Sequence, residues 1–262
     1  MLLSERNAAL PQKRGTMKTV LSIGNSFSQD AQRYLHRVAE ADGTELTTVN
    51  LMIGGCSLWR HYRNLKSDAR DYGLEFNGED TGFRTTIREA LLSRPWDVVT
   101  LQQLSSQAPD FATYQPYLTH LAAAVREFCP GARIALQETW AYAEGSVRLH
   151  GELGYAHHGD MTRDLIAAYD KAAKEISADL VIPSARAMEA LQNAGVPAHR
   201  DGFHASLGVG RYTLALTWYR ALTGRRAAEN RLETLDVPAA AEELRAARAA
   251  ADAAFSENST QP

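Results

Sequence analysis

Two short segments near opposite ends of the chain contain residue types that can catalyse acyl transfer. One is Gly24-Asn25-Ser26, directly after an apolar run, and the other is Asp201-Gly202-Phe203-His204. An aspartate three residues before a histidine can orient the imidazole, so that its other ring nitrogen accepts a proton from a serine. Each segment alone is ambiguous, because serines often cap helices and an Asp and a His also occur in surface turns. Together, Ser26, Asp201 and His204 suggest a catalytic triad.

Two further segments could supply hydrogen-bond donors to the oxyanion of such a reaction. Gly54 and Gly55 are adjacent, and paired glycines allow a backbone N–H to approach a substrate closely. Gln102 and Gln103 follow another apolar run, where an amide can donate to a tetrahedral oxyanion. The backbone N–H of Ser26 is a third candidate, because helix N-termini favour negative charge. A tight loop and a polar strand end are the plainer interpretations of these two segments.

Other chemistries find less support in the sequence. Cys56 could act as a nucleophile, but no motif places a histidine beside it. His157 and His158, followed by Asp160, are adjacent histidines, which are poorly arranged for chelation without further ligands. No phosphate-binding G-x-x-x-x-G-K and no dinucleotide G-x-G-x-x-G follows a predicted strand, and no G-x-S-x-G typical of α/β-hydrolases occurs at the serine. The sequence therefore predicts neither a metal nor a cofactor.

The elements that must position these residues follow from the hydrophobic pattern. Near-continuous Val, Ile and Leu runs are typical of parallel strands covered on both faces. They lie at Thr19–Ile23, Leu46–Ile53, Asp97–Leu101, Arg133–Leu136 and Asp179–Ile182. Helical periodicity occurs at Gln29–Ala41, Phe83–Leu92, Tyr114–Glu127, Met161–Ile176, Ser184–Asn193 and Leu207–Leu222. This alternation predicts an α/β fold, a three-layer α/β/α sandwich with a central parallel sheet of about five strands. Chemistry should collect at the carboxyl ends of those strands.

The order of these motifs resembles that of the SGNH/GDSL hydrolase superfamily, over roughly Lys18 to Gly224. GNS at Gly24–Ser26 is similar to its first block and DGFH at Asp201–His204 to its last. GGCSL at Gly54–Leu58 and LQQLS at Leu101–Ser105 resemble a branch described only as a domain of unknown function. Two blocks depart from the usual pattern: Gly-Asp-Ser-Leu is Gly-Asn-Ser-Phe, and a glutamine replaces the third-block asparagine, as in carbohydrate acetylesterase branches.

The resemblance implies a flavodoxin-like SGNH fold and a serine esterase with Ser26, Asp201 and His204 as its triad. It also implies an oxyanion hole formed by Ser26, Gly55 and Gln102. We favour Gln102 over Gln103 because a Gln-x-x-Ser spacing to Ser105 then fits, and we favour Gly55 over Gly54.

The substrate is predicted less directly. Trp59, Trp140 and Tyr142 fall in segments that should border the strand ends, and aromatic faces with a polar edge suit a sugar ring. We therefore expect these three residues to bind an acylated, most simply an acetylated, sugar. A lipid or thioester hydrolase of the same superfamily and a non-catalytic sugar-binding module are the alternatives.

Composition limits the remaining possibilities. The 262 residues carry a formal net charge of −3 without a sustained basic block, so we expect no nucleic-acid partner. No apolar run is long enough to cross a bilayer, and the two cysteines indicate a reduced, cytoplasmic protein. We expect residues 1–17 to be a disordered or non-native leader, with Met17 as a possible start. Residues 18–224 should form the hydrolase domain, and residues 225–262 a peripheral helix and tail. The sequence predicts no oligomeric state.

Overall fold

A seven-stranded sheet forms the centre of the protein. The computed structural model describes residues 19–256, so the expected leader and the end of the expected tail lie outside the described residues. The strands are β1 (Thr19–Gly24), β2 (Thr47–Met52), β3 (Tyr72–Phe76), β4 (Glu79–Thr85), β5 (Val98–Leu101), β6 (Arg133–Gln137) and β7 (Leu180–Ile182). Their order across the sheet is β4-β3-β2-β1-β5-β6-β7.

Five of these strands run parallel and confirm the predicted α/β fold. They are β2, β1, β5, β6 and β7, with Gly24 opposite Met52 and Ile23 opposite Leu101. Every residue of β1 and β5 is buried, because helices cover both faces of the sheet. Since parallel strands all end at one edge, the loops after β1, β2 and β5 are neighbours there.

An antiparallel hairpin extends the sheet beyond the five predicted strands. β3 pairs with β2, and β4 pairs with β3. The prediction of about five strands missed this hairpin because β3 is only five residues long and β4, at the sheet edge, is largely polar and exposed. Its turn contains Asn77 and Gly78, both with positive φ. An Asn-Gly pair is a strong hairpin signal, and it could have revealed these two strands.

Helices cover both faces of the sheet. Within residues 19–256 they are α1 (Ser26–Gln32), α2 (Leu35–Ala41), α3 (Leu58–Ser67), α4 (Ile87–Leu92), α5 (Tyr117–Phe128), α6 (His158–Ile176), α7 (Ser184–Asn193), α8 (Val209–Thr223) and α9 (Ala241–Ala253). Their mutual contacts form one group of α1, α2, α7, α8 and α9 and another of α3 to α6, and the two groups meet where α6 contacts α7.

Three helical segments differ from the prediction. The predicted helix Gln29–Ala41 is divided into α1 and α2, and it begins earlier, at Ser26. The predicted helix Phe83–Leu92 is part strand and part helix, since α4 starts only after Thr86, which caps it. α3 was not predicted, although Ser57 caps it by accepting a hydrogen bond from the backbone of the helix.

The C-terminal helix has one buried face. α9 packs against α7 and α8 and buries Leu244, Ala247 and Ala251. It therefore belongs to the outer part of one helix group. No helix within residues 19–256 combines the length and the apolar character needed to span a bilayer.

Candidate active site

Ser26 lies at the junction of β1 and α1, at the carboxyl edge of the sheet. β1 ends at Gly24, Asn25 caps the helix, and Ser26 is the first helical residue. A Cβ at Gly24 would overlap Ser28 Oγ, so this tight exit from the strand requires glycine. The Ser26 side chain is partly exposed, whereas Gly24 and Asn25 are buried. The serine hydroxyl is therefore accessible beside the N–H groups that a helix start leaves unpaired.

The loop between α7 and α8 brings Asp201 and His204 to Ser26. Ser26 Oγ lies 2.8 Å from His204 Nε2, and His204 Nδ1 lies 2.7 Å from Asp201 Oδ2. Nδ1 is assigned the proton because its partner is a carboxylate, which leaves Nε2 to accept the serine proton. The other carboxylate oxygen accepts the backbone N–H of His204 at 2.8 Å. The three residues predicted as a triad thus form one hydrogen-bonded chain.

The local environment keeps Asp201 ionised. Burial raises the pKa of Asp201, but hydrogen bonds from the His204 side chain, the His204 N–H and the Phe203 N–H together lower it below its ordinary value. The carboxylate is therefore charged at neutral pH. It can stabilise the imidazolium that forms when His204 accepts a proton.

The Asn25 side chain joins the ends of three strands beneath Ser26. Its Oδ1 accepts the Phe27 N–H at 2.9 Å and the Gln102 Nε2 at 2.7 Å. Its Nδ2 donates to the Cys56 carbonyl, after β2, at 3.0 Å. An aspartate could not make this last bond, because a carboxylate has no hydrogen to donate. This contact gives a physical reason for asparagine in place of the usual aspartate before Ser26.

The two glutamines after β5 have different surroundings. Gln102 is buried, and its amide nitrogen donates a hydrogen bond to Asn25 Oδ1. Gln102 therefore contacts the serine turn through Asn25. Gln103 is buried as well, and its amide bonds the Leu58 N–H (2.9 Å) and the Thr113 carbonyl (2.9 Å). Of the two, Gln102 is therefore the one connected to the Ser26 turn.

The glycine turn after β2 lies next to the serine turn through the Asn25–Cys56 contact. Gly54 and Gly55 are both exposed. Gly55 has φ +62°, a left-handed conformation that favours glycine, and a Cβ there would meet no atom within 4 Å. The space above Gly55 is thus open to a substrate.

Asp30 anchors the loop that carries Asp201 and His204, and its role was not anticipated from the sequence. It lies one helical turn after Ser26 and is fully buried. Its carboxylate accepts hydrogen bonds from Arg200 Nη1 (3.0 and 2.9 Å), Arg211 Nε (2.8 Å) and the Ala205 N–H (3.1 Å). Arg200 and Ala205 flank the Asp201–His204 motif. Asp30 therefore ties both ends of that motif to the helix that begins with Ser26.

The predicted substrate-binding aromatics occupy two kinds of environment. Trp140 is fully buried, stacks on Phe27 at 4.1 Å between ring centroids and donates to the Phe203 carbonyl at 2.9 Å. Tyr142 is buried too. Neither ring presents a face to a ligand, which corrects the expectation of open stacking platforms at these two positions. Trp59 is 46% exposed, although the Arg63 guanidinium lies 4.9 Å from the centre of its ring.

Phe203 packs against His204 and was not predicted as a site residue from the sequence. Its ring centroid lies 3.9 Å from that of His204, and the Arg148 guanidinium lies 4.0 Å above the ring. Its place inside the DGFH motif is the signal that could have identified it. Together with Trp140 and Phe27, it forms an apolar support for the imidazole.

Cys56 has a histidine partner that no motif indicated. His61 Nδ1 lies 3.4 Å from Cys56 Sγ and 2.9 Å from the Tyr72 hydroxyl, in a buried site. Burial lowers the pKa of His61 to about 3 and raises the pKa of Cys56 to about 12. Both groups are therefore neutral at physiological pH, and the thiol is not activated.

The paired histidines have local partners of their own. Glu144 contacts His157 Nδ1 at 3.1 Å and His158 Nδ1 at 2.7 Å, while His158 Nε2 contacts Asn193. Within the described part of the chain, no three His, Cys, Asp or Glu side chains cluster as metal ligands.

The Asp30 anchor predicts a defect in turnover as well as in stability. Asp30→Asn leaves two arginines without their carboxylate, so we expect a loss of about 3 kcal/mol in unfolding free energy. Displacement of His204 from Ser26 should lower kcat for p-nitrophenyl acetate about 10²-fold with little change in KM. Asp236→Asn is the matched control, because the Asp236 carboxylate also pairs with two arginines but is partly exposed and bonds neither Arg200 nor Ala205. Wild-type kcat in a folded Asp30→Asn protein would show a purely structural role.

The neutral thiol predicts resistance to alkylation. A thiol whose pKa is about 12 is ionised only to about 10⁻⁴ at pH 8, and the thiolate is the reactive form. We expect iodoacetamide to leave Cys56 and ester turnover intact in the native protein, as measured by mass spectrometry. The unfolded protein, in which both cysteines should react, is the control. Rapid alkylation with loss of turnover would contradict a serine nucleophile.

The chain is similar to known proteins in both sequence and fold. Residues 19–254 match the family described as a domain of unknown function, DUF4886. A DUF4886 family protein from Bacteroides uniformis is 33% identical, with a TM-score of 0.85 over 93% of this chain and 96% of that chain. No curated protein sequence matches.

Two more distant solved structures share the fold. A protein from Slackia heliotrinireducens that is assigned to the SGNH hydrolases is 26% identical, with a TM-score of 0.57 over 78% of this chain and 98% of that chain. An acetylxylan esterase from Geobacillus stearothermophilus is 18% identical, with a TM-score of 0.50 over 79% of this chain and 95% of that chain. The chain thus belongs to the DUF4886 family and has the fold of the SGNH hydrolases.

Proposed function

We propose that this protein is a serine esterase that hydrolyses short-chain acyl esters. The observation that carries the proposal is the hydrogen-bonded chain from Ser26 Oγ through the His204 ring to Asp201, at 2.8 and 2.7 Å. This arrangement lets a histidine activate a serine while a carboxylate holds the ring. A non-catalytic sugar-binding module has no need of a base beside the serine, so we favour an enzyme.

The proposed reaction has two acyl-transfer steps. Ser26 Oγ attacks the ester carbonyl carbon while His204 Nε2 takes the hydroxyl proton, and the imidazolium then gives that proton to the departing alcohol oxygen. Water next loses a proton to His204 and attacks the acyl–serine carbonyl. Collapse of the second tetrahedral intermediate returns the proton to Ser26 and releases the acid. Asp201 remains ionised throughout.

The oxyanion of each intermediate needs donors that are already in place. We assign this role to the backbone N–H groups of Ser26 and Gly55, from the loops after two adjacent strands. The exposed, left-handed Gly55 and the contact between its loop and Asn25 support this assignment. Gln102 contributes by holding Asn25, which is a positioning role.

We further propose an acetyl ester of a carbohydrate as the substrate. Phe27, Trp140 and Phe203 pack on one another beside His204, which leaves the apolar region there filled and favours a small acyl group. The exposed Trp59, one residue into α3 and close to the glycine turn, suits a sugar ring. The likeness in fold to an acetylxylan esterase makes acetylated xylo-oligosaccharides the natural first substrates to test.

The triad predicts strongly non-additive losses. Ser26→Ala and His204→Ala should each lower kcat for p-nitrophenyl acetate about 10³-fold or more, and the double variant should be hardly worse, because the two residues act as one unit. Circular dichroism should show an intact fold in all three. Losses that simply multiply would mean that serine and histidine act separately, and wild-type turnover in Ser26→Ala would refute the proposal.

The filled apolar region predicts a preference for short acyl chains. We expect kcat/KM for p-nitrophenyl acetate to exceed that for the octanoate by about tenfold or more, since extra methylenes would have to displace packed rings. Both esters share one leaving group, so their ratio reports on the acyl side alone. Faster turnover of the octanoate would favour a lipid hydrolase, and faster turnover of an acetyl thioester would favour a thioesterase.

A further inference from the structure

A polar cavity lies next to the glycine turn, on the side of the antiparallel hairpin. Its volume is about 360 Å³, within the range of about 300–1,000 Å³ that small-molecule sites usually have. Its walls include Gly54, Arg60, Asp71, Glu75, Asp80 and Arg84. The cavity exists because β3 and β4 extend the sheet past β2, and Glu75, Asp80 and Arg84 come from that hairpin.

The cavity opens at the same edge of the sheet as Ser26. Gly24 lies opposite Met52 in β2, and Met52 lies opposite Gly73 in β3. Met52 and Gly73 both line the cavity. Since neighbouring strands are about 4.8 Å apart, Gly73 lies about 10 Å across the sheet from Gly24, two residues before the serine. A substrate joined to Ser26 at its acyl carbon could therefore extend its alcohol part into the cavity.

A buried polar network connects the two places. Gln29, one turn after Ser26 on the same helix, hydrogen-bonds Glu75. Asn50 Nδ2 donates to the other Glu75 oxygen at 2.8 Å, and Asn50 Oδ1 accepts from Ser28 Oγ at 2.7 Å. The cavity wall at Glu75 is thus held in a defined position relative to the serine turn.

The lining indicates what kind of molecule would fit. Two arginines and three acidic side chains nearly balance in charge, which disfavours a strongly anionic or cationic ligand. Guanidinium groups donate and carboxylates accept, and this combination suits neighbouring hydroxyls. Charged walls are unsuitable for an acyl chain. We infer that this cavity binds the hydroxyl-rich alcohol part of the ester, a sugar unit; this inference rests on the proposed esterase function.

The test compares two esters that share the acetyl group, one with a sugar and one with p-nitrophenol as the alcohol part. We choose Arg60→Gln and Asp80→Asn, both at exposed positions where the fold should survive. The readout is the ratio of kcat/KM for acetylated xylobiose to that for p-nitrophenyl acetate, whose leaving group needs no hydrogen bonds from the cavity. Each variant should lower this ratio at least about tenfold. Arg88→Gln is the control, because Arg88 is an exposed arginine that stacks on Phe128 outside the cavity.

Direct binding separates this inference from the proposed function. Xylobiose should bind Ser26→Ala protein in a calorimetric titration, and adding Arg60→Gln should weaken that binding at least about tenfold. An unchanged ratio in both cavity variants, or an equal fall in Arg88→Gln, would overturn the sugar subsite while leaving the esterase intact. If the wild-type protein hydrolysed neither ester but bound xylobiose in a way that depends on Arg60, the esterase proposal would be overturned and the sugar site retained.

Discussion

The Asn25 carboxamide is the interaction on which the rest of the site depends. It joins the turn after β1 to the loop after β2 through Cys56 and to the end of β5 through Gln102. These are the three loops that would surround a substrate carbonyl. Removing the amide would leave buried polar groups without partners, each at a cost of about 1–3 kcal/mol. Both the donor and the acceptor of the amide are used, so this one side chain fixes the serine turn relative to both neighbouring loops.

Helix α1 has only seven residues, but it connects the serine turn to two other parts of the protein. Its first residue is the proposed nucleophile, and its fifth, Asp30, holds the loop with the proposed base. Its fourth, Gln29, contacts the β3 strand at Glu75. The helix therefore relates three sites that lie in separate parts of the chain. Because the Asp30 carboxylate is fully buried and multiply bonded, the distance between Ser26 and His204 is set by a rigid contact.

The proposed base, His204, and the thiol of Cys56 lie in different electrostatic surroundings. Phe203 packs against the His204 ring, and Asp201 stays ionised beside it, so the imidazole is held in place next to a negative charge. Cys56 and His61 are buried without a charged partner at hydrogen-bond distance, and both remain neutral. The surroundings of the two histidines therefore differ, because only His204 has a carboxylate at hydrogen-bond distance that can stabilise an imidazolium.

The sequence by itself determined the parallel sheet and the members of the proposed triad. Apolar runs such as Thr19–Ile23 report burial on both faces, and the Gly24–Ser26 and Asp201–His204 motifs are local in the chain. Tertiary structure alone decided which side chains support them. Asp30 meets Arg200 across 170 residues, and Trp140, expected to face a ligand, is covered by Phe27. Such contacts have no local pattern, because they depend on how separate elements pack. The hairpin beside the polar cavity lies between these cases. The Asn77-Gly78 turn and the alternation of Tyr72, Leu74 and Phe76 in β3 are visible in the sequence, but the largely polar edge strand β4 carries no apolar period.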